Sequence, residues 1–122
     1  MTRPDWDEYF LNIAREVAKR STCPRASVGA VIVKDNRILA TGYNGSPPGK
    51  PHCTEVGCLV VNDHCERVIH AETNAIAQAA KFGISINGAT LYYWDSLNRP
   101  AESCNKCSQV MEAAGIIIII GR

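Results

Sequence analysis

The sequence lacks two features that would indicate a membrane or a nucleic acid as its partner. Its longest apolar run, AAGIIIII at residues 113–120, is far shorter than the ~20 residues that a helix needs to span a bilayer. The formal net charge is only +1, so the chain offers no broad basic field to a polynucleotide. Charged residues occur throughout residues 1–20, where a secretory leader would be apolar. We therefore expect a cytoplasmic protein with no membrane and no polynucleotide partner.

Cysteine is abundant, with six copies in 122 residues. Because a reducing cytoplasm disfavours disulfides, thiols that accompany histidines in such a chain are more often metal ligands. The composition therefore favours zinc, and disulfides are the alternative. The chain length fits one compact domain, which we expect to extend over residues 1–122.

The first helix is predicted within residues 3–21. Asp5 is the expected N-cap, with Glu8 three residues later as in a capping box. One apolar face follows at helical spacing and is expected to be buried in the core: Trp6, Phe10, Ile13 and Val17.

The rest of the chain alternates between strands and helices. The expected elements are a hairpin at 28–43, helices at 70–83 and 104–115, and a strand at 89–93. Residues 44–67 are a long Gly- and Pro-rich loop. The isoleucines at 116–120 show no alternation, which predicts a strand buried on both faces. The order α-β-β-α-β-α-β predicts the α/β class, a three-layer α-β-α fold around a central mixed sheet.

One constellation of residues has the composition of a catalytic zinc site. Such a site takes three protein ligands and leaves one position for water. His70 and the pair Cys104 and Cys107 supply that set, and a helix start favours thiolate. Glu72 is placed to exchange protons with water at the metal. The spacing H-x-E followed by C-x-x-C is typical of zinc deaminases, and the alternative is a closed zinc knot with Glu72 in solvent.

Three stretches resemble the deoxycytidylate (dCMP) deaminase branch of the cytidine deaminase superfamily. They are residues 3–53, which include RSTCPRASVGAVIV and GYNGSPPG, then RVIHAETNAIAQAAKFGISINGATLYY, and CNKC. The resemblance implies a cytidine-deaminase-like fold and hydrolytic deamination of dCMP to dUMP with release of ammonia. It implies zinc held by His70, Cys104 and Cys107, with Glu72 as the proton shuttle.

The resemblance also suggests how a nucleotide is held. Asn44 is expected to contact the deoxyribose or the base, and Arg25 is the expected phosphate cation. Ala71 beside the metal ligand and Tyr93 at the end of a strand are further substrate-binding candidates, although Tyr93 and Trp94 equally fit core packing. The chain departs from the family at residues 94–103, where the connection is longer and Ser103 replaces the usual proline. Deamination of another nucleotide, nucleoside or base is therefore an alternative, as is a non-catalytic zinc-stabilised binding module.

Four cysteines remain after the catalytic pair: Cys23, Cys53, Cys58 and Cys65. Four thiolates match a closed structural zinc site, and several dCMP deaminases resemble this chain in carrying a second zinc. His52 and His64 flank two of these cysteines as possible substitute ligands, although an ordinary solvent-exposed histidine fits each position better. Buried thiols without metal are the alternative to the zinc site. We expect the second Zn²⁺ to tie the long loop to the end of the first helix.

The resemblance further implies an allosteric homo-oligomer, a hexamer in this branch. By resemblance, the loop that begins with GYNG binds the regulators dCTP and dTTP, which makes Gly42, Tyr43 and Gly45 candidate effector-binding residues. Backbone amides presented by such a loop suit phosphate groups.

Overall fold

Ten helices and strands are assigned in the computed structural model, which describes residues 2–47, 49–61, 64–65, 69–99 and 105–122. In chain order they are α1 (Trp6–Ala18), β1 (Val28–Lys34), β2 (Arg37–Tyr43), α2 (Cys53–Val56), β3 (Val60–Val61), β4 (His64–Cys65), α3 (Ala71–Lys81), β5 (Thr90–Asp95), α4 (Asn105–Ala113) and β6 (Ile118–Gly121). The predicted order is confirmed for the longer elements. The predicted long loop also contains the short helix α2 and the small antiparallel ribbon β3-β4.

The central sheet is mixed, as predicted, with strand order β2-β1-β5-β6. β1 runs antiparallel to both β2 and β5, and β6 runs parallel to β5. The hairpin turn between β1 and β2 places Asp35 at φ 53° and Asn36 at φ 60°. Two successive left-handed residues are typical of a type I′ turn, and Asn and Asp tolerate that conformation better than most residues.

Each face of the sheet has its own hydrophobic core. Alternate residues of β1 point to opposite faces: Ala30 and Ile32 to one, Val31 and Val33 to the other. The first face packs against the alanines of α3 and against Met111 of α4. The second face packs against α1. The three-layer α-β-α arrangement is therefore confirmed.

Helix α1 begins as predicted but exposes one of its predicted core residues. The backbone N–H of Glu8 donates to Oδ1 of Asp5 at 2.8 Å, which confirms the N-cap. Phe10 is buried, but the side chain of Trp6 is 52% exposed, so its assignment to the core was wrong. Trp6 lies in the first helical turn and stacks on Phe10 with ring centroids 5.7 Å apart, so it covers the core from outside.

The isoleucine run is also less buried than predicted. β6 is an edge strand whose only partner among the described strands is β5. Ile117 is 70% exposed and Ile118 is 50% exposed, while Ile116 is buried. The lack of alternation predicts burial on both faces, but an edge position leaves the outer side of the strand uncovered.

Within the described residues, none of the helices combines the length and the apolar character of a membrane span.

Helix α3 lies unusually close to the edge strand β2. A Cβ atom added to Gly42 would lie 2.4 Å from the backbone nitrogen of Ala75 and 2.5 Å from the carbonyl oxygen of Ala71. Two side chains of α3 also bond to the strand: Asn74 Nδ2 donates to the carbonyl of Tyr43, and Gln78 Oε1 accepts from the N–H of Thr41, both at 2.8 Å. The start of α3 is thereby fixed against the end of β2.

Substitution of Gly42 by Ala should therefore displace α3 and lower stability. The added methyl would meet rigid backbone, so we expect a loss of about 1–3 kcal/mol or more in the free energy of unfolding, measured by urea denaturation. Gly29→Ala is the matched control, because its methyl would lie 2.0 Å from the carbonyl oxygen of Ala14 in α1, on the other face of the sheet. Both variants should lose stability. When samples with the same folded fraction are compared, only Gly42→Ala should lose bound metal. Unchanged stability of Gly42→Ala would contradict this close packing.

Candidate active site

Several chain segments meet at one end of the sheet, formed by the start of β1 and the ends of β2 and β5. Val28 of β1 is paired with Asp95 of β5, and on the other side Gly29 is paired with Tyr43 of β2. The close contact with β2 places the first turn of α3 at this end. His70 is the N-cap residue of α3 and has an extended backbone, and its side chain makes no capping hydrogen bond. The imidazole therefore does not serve as the helix cap.

Three of the predicted site residues come together here. One ligand atom from each of His70, Glu72 and Cys107 lies within 4.8 Å of the other two. Nδ1 of His70 lies 3.0 Å from Sγ of Cys107. Cys107 comes from the first turn of α4, so two helix starts supply this cluster. Cys104, the remaining predicted ligand, lies outside the described residues.

Glu72 is a buried carboxyl group, with only 3% of the residue exposed. Burial raises the pKa of Glu72 and outweighs the hydrogen bond from Cys107, which lowers it. The charge of Asp95 raises this pKa further, and the charge of Arg99 lowers it. A buried carboxyl group whose pKa is shifted toward neutrality is suited to taking up and releasing a proton.

Asn44, the residue that follows β2, joins the end of β2 to the start of β1. Its Oδ1 accepts from the backbone N–H of Val28 at 2.9 Å, and its Nδ2 donates to the carbonyl of Ala26 at 2.8 Å. The residue is buried. These bonds hold the side chain amide rigidly and leave one N–H and one oxygen lone pair for a further partner.

Comparison with known proteins identifies this arrangement. The sequence profile described as "Cytidine and deoxycytidylate deaminase zinc-binding region" matches residues 4–120. The chain belongs to the cytidine and deoxycytidylate deaminase family. It therefore carries the zinc-binding region of a family of deaminating enzymes, and its fold is the cytidine-deaminase-like fold that the sequence predicted.

Individual relatives cover the chain to different extents. ComE operon protein 2 of Bacillus subtilis is 48% identical over 93% of this chain and 57% of its own length. The deoxycytidylate deaminase of Mycobacterium phage D29 is 42% identical over 95% of this chain and 93% of its own. The chain thus spans little more than half of the first relative and nearly all of the second. Among solved structures, the dCMP deaminase of cyanophage S-TIM5, in complex with dCMP and dUMP, is similar with a TM-score of 0.79 and 31% identity, over 100% of this chain and 84% of the other.

The donor atoms at the cluster suit the family's metal. Imidazole nitrogen and cysteine sulfur are characteristic zinc ligands, and the 3.0 Å contact between His70 and Cys107 brings one of each together. Oγ1 of Thr73 lies 3.8 Å from the same sulfur, where a hydroxyl stabilises a thiolate. The cluster is the only group of three metal-ligating side chains found within the described part of the chain.

The other predicted substrate residues lie around this end of the sheet. Ala71 is fully buried against β2. Tyr93 is buried on the face that carries α3, whereas Trp94 packs on the opposite face with α1. Arg25 is exposed and lies between α1 and β1. Trp94 therefore has the packing role that the sequence left open.

The predicted effector residues occupy the end of β2 and the residues that follow. Gly42 is buried beneath α3, which gives this glycine a packing role. Gly45 forms a two-way backbone bridge with Ile69, one residue before the metal ligand His70. Tyr43 is half-buried. Effector binding by these residues stays a prediction.

The remaining cysteines lie in the segments expected to be tied together. Cys53 is buried at the start of α2, and Cys23 and Cys58 are half-buried. The side chain of Cys65, like that of His64, lies outside the described residues. His52 precedes Cys53, and its Nδ1 is buried with no hydrogen-bond partner in the part of the chain that the structure describes. Because a buried ring nitrogen normally has a partner, this atom is the structural observation that favours His52 as a ligand.

Two charged residues at this end of the sheet, Asp95 and Arg99, are not among the predicted site residues. Asp95 ends β5, and its side chain is fully buried; Nε of Arg99 donates to its Oδ2 at 2.8 Å. A charged residue at the end of an apolar strand is the available signal, because strand ends commonly carry functional side chains.

Proposed function

We propose that this chain catalyses the zinc-dependent hydrolytic deamination of dCMP to dUMP with release of ammonia. The observation that carries the proposal is the buried carboxyl group of Glu72 within 4.8 Å of the imidazole and thiol of His70 and Cys107. A purely structural zinc site has no need of a buried carboxyl group at that place. Two relatives named deoxycytidylate deaminase or dCMP deaminase, from phage D29 and cyanophage S-TIM5, support the substrate.

The chemistry divides between the metal and the chain's own residues. His70, Cys104 and Cys107 would hold the zinc ion, which supplies Lewis-acid activation of water when bound. Glu72 takes a proton from the attacking water as its oxygen bonds to the ring carbon that bears the amino group. Glu72 then delivers that proton to the amino nitrogen, which leaves as ammonia. The balance is dCMP and water to dUMP and ammonia, with Glu72 restored to its starting state.

Polar groups beside the cluster support a polar substrate. Oγ1 of Thr22 and Oγ of Ser46 are buried and have no hydrogen-bond partner among the described residues. Both flank Asn44, since the backbone N–H of Thr22 donates to the carbonyl of Asn44 at 3.4 Å and Ser46 follows two residues after it. Substrate hydroxyl or phosphate oxygens would satisfy these groups, and Asn44 and Arg25 would contact the sugar and the phosphate. Ala71 and Tyr93 would shape the pocket around the base.

The same proposal includes a single deaminase domain over residues 1–122 that acts in the cytoplasm as a homo-oligomer, a hexamer regulated by dCTP and dTTP. Exposed apolar side chains support association: Phe82 is 65% exposed and Ile117 is 70% exposed. Light scattering at working concentration should therefore give a mass several times 13.3 kDa. A monomer would overturn the oligomer and remove the basis for regulation between subunits.

The proton-transfer role of Glu72 is tested by its isosteric amide. Glu72→Gln should fold and keep zinc but lose deamination by roughly 10²–10⁴-fold or more, because an amide cannot carry the proton. Ammonia release from dCMP measures the loss, and elemental analysis checks the metal. Glu55→Gln is the matched control, because Glu55 is an exposed glutamate in α2, and it should retain wild-type activity. Activity of Glu72→Gln within tenfold of wild type would remove its assigned role.

Metal content tests the second zinc site. We expect two zinc ions per chain, one at His70, Cys104 and Cys107 and one at Cys23, Cys53, Cys58 and Cys65, with His52 as the alternative ligand. Cys107→Ser should remove the first ion, and Cys53→Ser should remove the second and lower the melting temperature, since a closed zinc site contributes folding free energy. Elemental analysis of the purified proteins counts the ions. One zinc in wild type, unchanged by Cys53→Ser, would show that the four cysteines hold no metal.

A further inference from the structure

Asp95 at the end of β5 organises a small cluster of charged and polar groups. Its Oδ2 accepts from Oη of Tyr93 at 2.7 Å and from Nε of Arg99 at 2.8 Å, and its Oδ1 accepts from the backbone N–H of Leu97 at 2.7 Å. The Asp95 side chain is fully buried, while that of Arg99 is 48% exposed. A buried carboxylate with three donors is a rigid anchor for the arginine that it holds.

This cluster belongs to the same end of the sheet as the candidate active site. Asp95 is paired with Val28, whose backbone N–H is bonded to Asn44. The neighbouring residues Ser96 and Ser27 exchange two hydrogen bonds, each at 2.9 Å. Asn44 and the turn that follows Asp95 therefore contact the same short segment at the start of β1, one from each side.

Asp95 keeps Arg99 in its charged form. Partial burial alone would lower the pKa of Arg99, but the hydrogen bond to Asp95 and the charge of Asp95 outweigh that effect. Arg99 is therefore a half-exposed cation held at the end of the sheet that carries the candidate active site.

The bonding of the guanidinium group indicates what Arg99 can bind. Its hydrogen bond to a side chain within the described residues uses Nε. The two terminal Nη atoms form a separate edge of the planar group. That edge presents parallel N–H donors that match two oxygens of one phosphate group, a geometry that a lysine cannot provide.

We propose that Arg99 is a specificity-determining residue that binds the phosphate group of a nucleoside monophosphate substrate, with Asp95 as the positioning residue that fixes its orientation. The inference rests on the proposed deamination of dCMP and adds the residue by which the pocket distinguishes a nucleotide from a nucleoside. Arg25, on the exposed segment before β1, would complement this contact from the other side. The lengthened connection after β5 thereby acquires a function, because it supplies the arginine.

The alternative is that Arg99 serves only as the counterion of buried Asp95. Arg99→Gln separates the two roles. Glutamine can still donate a hydrogen bond to Asp95, but it has no charge and no pair of parallel N–H donors for a phosphate. We expect kcat/KM for dCMP to fall on the order of 10- to 100-fold, and kcat/KM for deoxycytidine to change far less. Arg99→Lys, which keeps the charge, should recover only part of that loss. Arg37→Gln is the matched control, since Arg37 lies at the hairpin turn at the far end of the sheet.

A binding measurement makes the test independent of turnover. Calorimetry should show that Arg99→Gln lowers the affinity for dUMP by a similar factor and leaves the affinity for deoxyuridine unchanged. Equal losses for nucleotide and nucleoside, or unchanged dUMP affinity, would overturn the inference. If wild type binds dUMP but does not deaminate dCMP, the proposed function fails and the dUMP comparison still decides the role of Arg99. Wild type that binds neither compound would refute both.

Discussion

The contact between α3 and the edge strand β2 is the constraint on which the site depends. Gly42 has no side chain, so the backbone of Ala71 and Ala75 can occupy the space that a methyl group at this position would fill. Asn74 and Gln78 then bond to backbone groups of β2 and fix the position of the helix along the strand. Because His70 and Glu72 lie at the start of this helix, the same contact sets the position of both.

The functional groups are thus held by backbone geometry more than by one another. His70 is placed by α3 and by the bridge between Gly45 and Ile69, and Cys107 by the first turn of α4. Asn44 and Asp95 approach the start of β1 from its two neighbouring strands. A pocket built at one end of a rigid sheet keeps its polar groups oriented before a substrate arrives, which reduces the reorganisation that binding and catalysis require.

Local patterns in the sequence predicted much of this arrangement. The N-cap at Asp5 and the hairpin at 28–43 depend on neighbouring residues, and both are confirmed. The spacing of His70, Glu72 and Cys107 was also informative, because a helix start limits where those side chains can lie.

Features that depend on distant parts of the chain could not be predicted in this way. The isoleucines at 116–120 have the composition of a central strand, but strand order places β6 at an edge. Trp6 has the correct helical spacing for burial, yet it is 52% exposed and stacks on Phe10 from outside the core. The bond between Asp95 and Arg99 spans only four residues, but its importance comes from the pairing of Asp95 with Val28 across the sheet.

Deamination of a cytosine nucleotide at this end of the sheet is the activity that we propose. It is tested by ammonia release from the zinc-loaded chain, measured with dCMP, deoxycytidine, dAMP and dGMP under identical conditions. We expect turnover of dCMP with the highest kcat/KM of the four, a weaker reaction with deoxycytidine and none with the purine nucleotides. No ammonia from dCMP, or preferred turnover of a purine nucleotide, would contradict it.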